Sequence, residues 1–347
     1  MEEISKFLSW DIIEKETDWV YSKLIDDVVI TSRVRIARNI KGYPFPYNMT
    51  VNTGKKVEEI LLKVFLNFPS EKIFIINISS LNEKQKKSLI EKHLISKEFS
   101  ENGLCDKIVI IPDKKASIMI NEEDHLRIQV ILPGLNLKKC LKLINEIDDY
   151  IDIKIEYAFS PKFGYLTACP TNTGTALRSS ALIHIPGIRF FKKDKTIFKN
   201  IEGIGIAVRG FYGEGSLPFG SIFQMSSTES TGKTEKEIVG ELESVVKLIE
   251  EEEKKCIEEI KNDGNLKKKI LKKIMKILKE ERENGEFIDF YSLLFLSYVS
   301  GILNFEKHEL KDFFFFILEN TGKNKNYIFS EKKGKILKRK LWEKLNV

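Results

Sequence analysis

The stretch VVITSRVRI, residues 28–36, alternates loosely between apolar and polar positions, which predicts a half-buried β-strand. Its two arginines, Arg33 and Arg35, are two residues apart. Because successive side chains of a strand point to opposite faces, both guanidinium groups are expected on one face of a sheet. The sequence therefore predicts a sheet that carries positive charge on one of its faces.

Around this stretch, the first two-thirds of the chain mixes strand-like and helix-like patterns. Short apolar runs bounded by turn residues predict further strands at residues 107–111, 117–121, 126–132 and 205–208. Apolar residues spaced by three and four predict helices at residues 56–68, 83–93 and 137–151.

From about Thr234 the pattern becomes helical. One apolar stripe opposes a charged face, and it consists of Ile238, Leu242, Val245, Val246, Ile249, Cys256, Ile257 and Ile260. Breaks at residues 262–265 and 284–285 enclose a second helix, and an apolar helix and a lysine-rich tail follow. We therefore predict two domains, at residues 1–233 and 234–347.

Composition limits the classes of protein that fit. Of 347 residues, 42% are hydrophobic and 31% charged, which indicates a folded core, and the net charge of +6 is too small and too dispersed to indicate nucleic acid or membrane partners. The longest apolar segment, residues 290–303, is shorter than the roughly 20 residues that span a bilayer. The four cysteines are widely spaced, with no zinc-like cluster. Since the N-terminus lacks a signal-peptide pattern, we expect a cytoplasmic protein.

Familiar nucleotide-binding motifs fail here. Gly232-Lys233-Thr234 resembles the end of a Walker A loop, but that loop requires glycine at the position of Ser227. The HRD and DFG motifs of eukaryotic protein kinases do not occur in the sequence. Residues 232–234 instead predict a helix start with Thr231 or Thr234 near the cap, and any ATP site must be built in another way.

Arginine is scarce, and the arginines of the first two-thirds lie mostly beside turns and strand ends. There are seven: Arg33, Arg35, Arg38, Arg127, Arg178, Arg189 and Arg209. Planar, permanently charged guanidinium groups bind phosphate oxygens bidentately, and phosphoryl transfer needs mainly positioning and neutralisation of phosphate charge. The pattern favours a polyphosphate site, although alternating arginines are also typical of surface salt bridges.

Glu123, Glu214 and Cys169 are candidates for the acceptor half of such a reaction. Glu123 lies in NEEDH at residues 121–125 and Glu214 in GFYGEG at residues 210–215, each between strand-like segments. A guanidinium is a poor nucleophile because it is cationic, and carboxylates that hold its N–H groups can orient it and accept a proton. Cys169 could add a thiolate. A solvated acidic loop, an ordinary glycine turn and an inert cysteine remain alternatives.

Four ordered motifs resemble the phosphagen (guanidino) kinase superfamily, and most closely the bacterial protein-arginine kinases. They are SRVR at residues 32–35, NEEDHLR at 121–127, CPTNTGTALR at 169–178 and VRGFYGEGS at 208–216. The resemblance implies an α+β fold in which an antiparallel sheet flanked by helices binds ATP, followed by a C-terminal helical domain. It also implies Mg²⁺ that bridges the phosphates largely through water, without protein ligands to the metal.

The same resemblance implies roles for individual residues. The implied ATP-binding residues are Ser32, Arg33, Arg35, Arg127, Arg178, Arg209 and His93, of which the arginines contact phosphate and the histidine lies against adenine. Glu123 and Glu214 match the carboxylates that hold the acceptor guanidinium, one of them as catalytic base. Cys169 matches a cysteine that contacts a guanidinium nitrogen.

The order of the domains bears on the acceptor. Phosphagen kinases carry a helical domain ahead of the SRVR motif, whereas only 31 residues precede Ser32 here and the helical part follows. This layout resembles the protein-arginine kinases and implies protein substrates with exposed arginines, a homodimer, a role in protein quality control or stress response, and contacts with an activator protein and a Clp-type protease. The alternatives are a free arginine or creatine-like acceptor, and a catalytically weak adaptor.

The C-terminal tail departs from the family pattern. Protein-arginine kinases often bind phosphoarginine through an RDxxRA element, but the tail KKGKILKRKLWEKLNV, residues 332–347, has Arg339 as its only arginine and no Arg-Asp pair. The sequence therefore does not predict that regulatory pocket, and a solvated helix end is the simpler interpretation.

Overall fold

The computed structural model describes residues 10–101, 106–211, 219–229, 232–279, 286–319 and 332–345. The strands are β1 (Val29–Arg38), β2 (Phe74–Asn77), β3 (Lys107–Ile111), β4 (Ala116–Ile120), β5 (Leu126–Pro133), β6 (Phe159–Ser160), β7 (Gly164–Tyr165), β8 (Leu177–His184), β9 (Ile206–Arg209) and β10 (Ile222–Ser227). The helices are α1 (Trp10–Glu16), α2 (Val51–Leu66), α3 (Glu83–Glu91), α4 (Lys97–Glu101), α5 (Leu137–Asp152), α6 (Pro186–Phe190), α7 (Asp194–Glu202), α8 (Glu235–Asn262), α9 (Gly264–Lys279), α10 (Glu286–Val299), α11 (Lys307–Glu319) and α12 (Lys332–Leu345).

One antiparallel sheet organises the chain. Its strand order is β2-β3-β4-β5-β1-β8-β10-β9, and β6 and β7 form a separate small hairpin. β1, which carries the SRVR motif, pairs with β5 on one side and β8 on the other. The predicted α+β class, with an antiparallel sheet flanked by helices, is confirmed, and the motif strand lies in the interior of the sheet.

One face of the sheet is covered by α2, α5 and α8. Val34 and Ile36 of β1 point to this face and belong to one buried cluster with the apolar stripes of the three helices. The stripe predicted for α8 is largely confirmed, since its buried members include Ile238, Leu242, Val246, Ile249, Cys256 and Ile260. Burial of apolar side chains is therefore what fixes the direction of every second residue of β1.

The N-terminal segment and the C-terminal helices α9–α12 share the opposite face. The ring of Tyr21 lies 5.6 Å from that of Phe314 and 5.7 Å from that of Phe315, measured between centroids. The same buried cluster contains Ile108 and Ile110 of β3. Phe313, Phe314 and Phe316 are also buried in this cluster. This face therefore carries both the predicted arginines and the packing surface of the helical region.

The helix predicted to start near residue 234 does so. The Thr234 side chain accepts a hydrogen bond from the Glu237 backbone N–H, and the Glu237 side chain accepts one from the Thr234 N–H, which is a capping box. α8 then packs on the sheet as one of its covering layers. The division into domains at residue 234 stays a prediction. None of the described helices is both long and apolar enough to cross a membrane.

Candidate active site

Arginines from four strands lie on one face of the sheet. Directly paired residues of antiparallel strands share a face, and Arg35 pairs with Arg178 while Arg33 pairs with Ser180. When this register is followed from strand to strand, five predicted arginines have their side chains on the same face of the sheet, which we call the arginine face. They are Arg33, Arg35, Arg127, Arg178 and Arg209. The common orientation of Arg33 and Arg35 is confirmed, and the contact of the five with phosphate stays a prediction.

The two central arginines repel one another and their neighbours. Burial, together with the charges of Arg127 and Arg209, lowers the pKa of Arg33 to about 10. Burial likewise lowers the pKa of Arg35, with Arg127 and Arg33 adding to the effect. Guanidinium groups keep their proton even so, so this face concentrates positive charge that a bound polyanion would neutralise.

Side-chain hydrogen bonds orient two of these guanidinium groups. Arg33 Nε donates to Ser180 Oγ at 3.1 Å, and Arg178 Nε donates to Asn172 Oδ1 at 3.0 Å. Because one edge of each fork is held by a neutral partner, the groups are positioned without losing their charge. Such positioning lowers the entropy lost when a ligand is bound.

Glu122, which the sequence did not single out, holds Arg127. Its carboxylate forms an ion pair with the Arg127 guanidinium and accepts a hydrogen bond from Ser96 Oγ at 2.7 Å. Burial alone would raise the pKa of Glu122, but the charge of Arg127 and these hydrogen bonds lower it on balance. Glu122 is therefore ionised and engaged. The only sequence signal was a carboxylate five residues ahead of an arginine.

Glu123 lies in the same loop and points to solvent. Its side chain is exposed, and it forms no ion pair within the part of the chain that the structure describes. Partial desolvation raises the pKa of Glu123, and the neighbouring Asp124 and Glu122 raise it further, while Arg127 and Arg35 oppose the rise. A carboxylate with a raised pKa is a stronger proton acceptor, as a general base requires.

Asp124 joins the Glu123 loop to the loop that precedes Cys169. Its buried Oδ1 accepts hydrogen bonds from Asn39 Nδ2 at 2.6 Å and from the Ala168 backbone N–H at 2.7 Å. Glu123 and Cys169 are each one residue from this contact. The structure therefore brings these two predicted acceptor-side residues to neighbouring positions.

Cys169 begins a tight turn at the edge of the site. It precedes the 3-10 helix Pro170–Asn172 and is partly exposed, with its Sγ 3.0 Å from Thr171 Oγ1. Beneath the turn, Gly164 adopts a φ of +82°, and a Cβ there would overlap the backbone of Gly174. Only glycine permits this close approach, which fixes the course of the chain on both sides of Cys169.

Arg38 has a structural role. On the apolar face, its Nη2 donates to Asp148 Oδ2 at 2.6 Å, its Nη1 donates to Thr175 O at 3.1 Å, and its guanidinium lies 3.5 Å from the Tyr165 ring centroid. Tyr157 Oη donates to the other oxygen of Asp148 at 3.0 Å. This buried network ties the end of β1 to α5 and to the segment that follows Cys169.

His93 lies near Arg33 on the face of the sheet that carries the five arginines. Its ring centroid is 5.0 Å from that of Phe211, and its carbonyl accepts a hydrogen bond from Gln129 Nε2 at 2.8 Å. Burial lowers the pKa of His93 to about 3, helped by the charge of Arg33. The imidazole is therefore neutral at physiological pH, and its contact with adenine stays a prediction.

Ser32 points to the opposite face from Arg33 and Arg35, and its contact with ATP stays a prediction. Its side chain is fully buried on the apolar face, where Oγ donates to Gly134 O at 2.8 Å and accepts from the Asn136 N–H at 2.8 Å. Because side chains alternate along β1, Ser32 points away from its arginine neighbours. Its hydroxyl secures the turn before α5. Glu214, the second predicted carboxylate, lies outside the described residues.

The described residues offer no cluster of protein ligands for a metal ion. Within the described ranges, no group of three or more His, Cys, Asp or Glu side chains could hold a metal ion. The arginine face is itself cationic and would repel an ion that arrived alone. The arginine face is compatible with a metal ion that is already bound to the phosphates of a nucleotide.

Comparison with known proteins gives concordant matches. The sequence model of the family described as "ATP:guanido phosphotransferase, C-terminal catalytic domain" matches residues 56–256. The protein-arginine kinase of Caldanaerobacter subterraneus subsp. tengcongensis is 43% identical over 237 residues, covering 67% of this chain and 70% of the relative. The protein-arginine kinase of Bacillus cereus is 41% identical over 245 residues, covering 69% of this chain and 68% of the relative.

Solved structures show the same fold at lower identity. A lombricine kinase superposes with a TM-score of 0.58 at 24% identity, covering 65% of this chain and 66% of that chain, just under two-thirds of its length. The substrate-free duplicated taurocyamine kinase of Schistosoma mansoni gives a TM-score of 0.59 at 24% identity, covering 77% of this chain and 40% of that chain. At this identity the likeness concerns the fold alone.

Proposed function

Because the chain belongs to the ATP:guanido phosphotransferase family, we propose that it transfers the terminal phosphoryl group of ATP to arginine side chains of proteins. The observation that carries the proposal is the convergence of five arginines on one sheet face, beside the loops of Glu123 and Cys169. The names of the relatives that are 43% and 41% identical support a protein as the acceptor.

The arginine face would hold the triphosphate. Arg33 and Arg35 lie centrally, and their mutual repulsion means that phosphate oxygens relieve an existing electrostatic cost. Arg127, fixed by Glu122, and Arg178, held by Asn172, would bind from either side. Mg²⁺ carried by the nucleotide would neutralise further phosphate charge, which lowers the barrier to attack by a nucleophile.

Glu123 would receive the acceptor guanidinium. As an acceptor nitrogen forms its bond to the γ-phosphorus, the bond from that phosphorus to the bridging oxygen of ADP breaks, and a guanidinium proton passes to a carboxylate. Glu123 is exposed and has a raised pKa, which suits it to that proton. We assign Glu214 the role of the second carboxylate, and Cys169 a contact with another guanidinium nitrogen.

Several finer features belong to the same proposal. We propose a cytoplasmic homodimer that acts in protein quality control or stress response, with an activator protein and a Clp-type protease as partners. We also propose residues 1–233 as the catalytic domain and residues 234–347 as a helical domain for dimerisation or substrate binding. Sedimentation at micromolar concentration tests the dimer, and a monomer there would contradict it.

The reaction can be tested directly. The protein is incubated with ATP, Mg²⁺ and casein, and phosphoarginine is sought by mass spectrometry at neutral pH because the phosphorus–nitrogen bond is acid-labile. We expect a signal that is lost in Glu123→Gln and in Glu214→Gln and retained in Glu98→Gln, an exposed control. Transfer only to free arginine or creatine would make the chain a small-molecule kinase. No transfer to any acceptor would favour an adaptor.

A further inference from the structure

The hairpin of β6 and β7 carries two exposed phenylalanines. Phe159 and Phe163 are 55% and 56% exposed, and they are the only exposed ones among the phenylalanines whose side chains the structure describes. Exposed apolar side chains that occur singly are ordinary, whereas those that cluster mark interaction surfaces. We call Phe159, Phe163 and the intervening Lys162 the hairpin surface.

The hairpin surface is fixed from below. The Tyr165 N–H donates a hydrogen bond to Gly174 O at 2.9 Å, which ties β7 to the segment after Cys169. The ring of Tyr165 lies 5.2 Å from that of Phe159, between centroids, and its own centroid lies 3.5 Å from the buried Arg38 guanidinium. A surface that is already ordered binds a ligand without the entropic cost of ordering it.

Lys162 adds a positive charge to this aromatic surface. Its side chain is exposed, and its Nζ lies 5.1 Å from the centroid of the Phe163 ring. Within the ranges that the structure describes, Lys162 forms no ion pair with a carboxylate. The hairpin surface therefore combines apolar contact area with a cation that can pair with an acidic group of a ligand.

The hairpin surface lies within a short distance of the proposed acceptor site. Tyr165 precedes Cys169 by only four residues, which span at most about 14 Å when fully extended. The bond from the Ala168 N–H to Asp124 holds the Glu123 loop against the same segment. An extended polypeptide covers this distance in about four residues, so the neighbours of an arginine in the acceptor site can reach the hairpin.

We propose that the hairpin surface binds the protein substrate close to its acceptor arginine, with an apolar side chain against Phe159 and Phe163 and a carboxylate at Lys162. The occupant is an extended segment of the substrate, because its chemistry must match both the aromatic rings and the cation. The inference rests on the proposed transfer to protein arginines, and it adds a sequence preference around the modified residue.

Three peptides of equal length, each with one arginine, test this preference. The first carries leucine and glutamate within about four residues on both sides of the arginine, the second carries serine at those positions, and the third carries leucine and lysine. KM for phosphoarginine formation is measured with ATP, and binding is measured without ATP by fluorescence anisotropy. We expect the leucine–glutamate peptide to have a KM about tenfold below that of the serine peptide.

Variants of the hairpin surface separate its two contributions. Phe159→Ser/Phe163→Ser should lose most of the preference for the leucine–glutamate peptide over the serine peptide. Leu248→Ser, which removes a side chain that is 64% exposed on α8, should keep it. Lys162→Glu should reverse the choice between the glutamate and lysine peptides, by about threefold in each direction. Lys255→Glu, an exposed charge reversal on α8, should leave that choice unchanged.

Several results would overturn the proposal. They are equal KM values for the leucine–glutamate and serine peptides in the unmodified chain, and an equal loss of preference in Leu248→Ser. If Phe159→Ser/Phe163→Ser instead converted a dimer to a monomer in sedimentation and kept the peptide preference, a second copy of the chain would be the occupant. If no peptide were phosphorylated, the transfer proposal would fail, and anisotropy would still show whether the hairpin surface selects among the peptides.

Discussion

The carboxylate of Asp124 accepts a hydrogen bond from the backbone N–H of Ala168 at 2.7 Å, across 44 positions of sequence. The same oxygen accepts from Asn39. Two loops that carry proposed acceptor-binding residues are thus held by one buried atom. The separation between Glu123 and Cys169 follows from this contact.

Replacement of Asp124 by alanine should separate the two loops. The buried N–H groups of Asn39 and Ala168 would lose their acceptor, at a cost of about 1–3 kcal/mol each. We expect kcat for casein phosphorylation to fall at least about tenfold while KM for ATP changes little, because the arginine face is untouched. Asp124→Asn retains an acceptor oxygen and should recover most of the activity. If Asp124→Ala lost stability but kept kcat per folded molecule, the positioning role would be wrong.

Replacement of Arg33 by methionine should stabilise the fold in the absence of nucleotide and reduce the stabilisation that ATP provides. Without ATP, loss of one charge from a mutually repelling group should raise the free energy of unfolding by about 1 kcal/mol. At an ATP concentration a hundredfold above Kd, the free energy of unfolding of the unmodified chain should rise by roughly 2.7 kcal/mol, and that of the variant should rise by less. Thermal denaturation with and without ATP measures both. An unchanged ATP effect would remove Arg33 from the nucleotide site.

Glu253 should make stability depend on pH near neutrality. Its buried carboxyl group accepts hydrogen bonds from the backbone N–H groups of Gly187 at 2.6 Å and Ile188 at 2.7 Å, and burial raises its pKa from 4.5 to about 7 despite them. The folded chain therefore holds this proton at pH values where the unfolded chain has released it. The contribution is complete below about pH 4.5 and is lost as pH rises through about 7.

Urea denaturation between pH 5 and pH 8, in the variant Glu253→Gln, isolates this effect. The fall in stability over that range should be smaller in the variant by up to about 3 kcal/mol. Glu253→Gln should also be less stable at low pH, since its amide NH₂ cannot accept the second backbone hydrogen bond. Glu251→Gln, an exposed change on the same helix, should follow the unmodified chain. Parallel pH curves for both variants would contradict the assignment.

The buried pair of Arg38 and Asp148 should show strong coupling. Asp148→Ala leaves a guanidinium in the core without its carboxylate and should cost about 3–5 kcal/mol. The double variant Arg38→Met/Asp148→Leu removes both charges and should cost less than Asp148→Ala alone. A double-mutant cycle of Arg38→Met, Asp148→Leu and the double variant, measured by urea denaturation, gives the coupling. Additive losses would mean that the two charges act independently.

Five of the ten described strands could be predicted from sequence because their signal is local, whereas β2, β6, β7, β8 and β10 were not predicted. β3 was predicted with its observed bounds, and β1, β4, β5 and β9 within a few residues, since each is a short apolar run between turns. The resemblance also gave the fold, which the comparisons confirm. The common face of the five arginines could not be predicted in the same way, because it depends on the register of the strands. That register is set by pairing between strands that are distant in sequence.

The direction of Ser32 and the difference between Glu122 and Glu123 could not be predicted, because they depend on side-chain direction and on contacts between distant elements. Ser32 shares a motif with Arg33, but alternation along β1 sends its hydroxyl to the opposite face. Glu122 and Glu123 are adjacent and chemically identical, yet Ser96 and Arg127 engage the first and leave the second exposed. No pattern in the sequence distinguishes those two carboxylates, because the residues that separate them approach from other elements.

The Ser292 hydroxyl also has a consequence for building hybrid proteins. Beside its bond to Ser221, it lies 3.0 Å from His184 Nε2, and the His184 ring stacks on Tyr291 with centroids 5.4 Å apart. A chimaera that grafts the helical third of a relative onto this sheet would bring a foreign surface to both residues. Unless position 292 again offered a hydroxyl, the graft would leave the buried His184 imidazole and the Ser221 N–H without this partner. In such a chimaera, His184, Ser221 and Ser292 should therefore all come from the same parent protein.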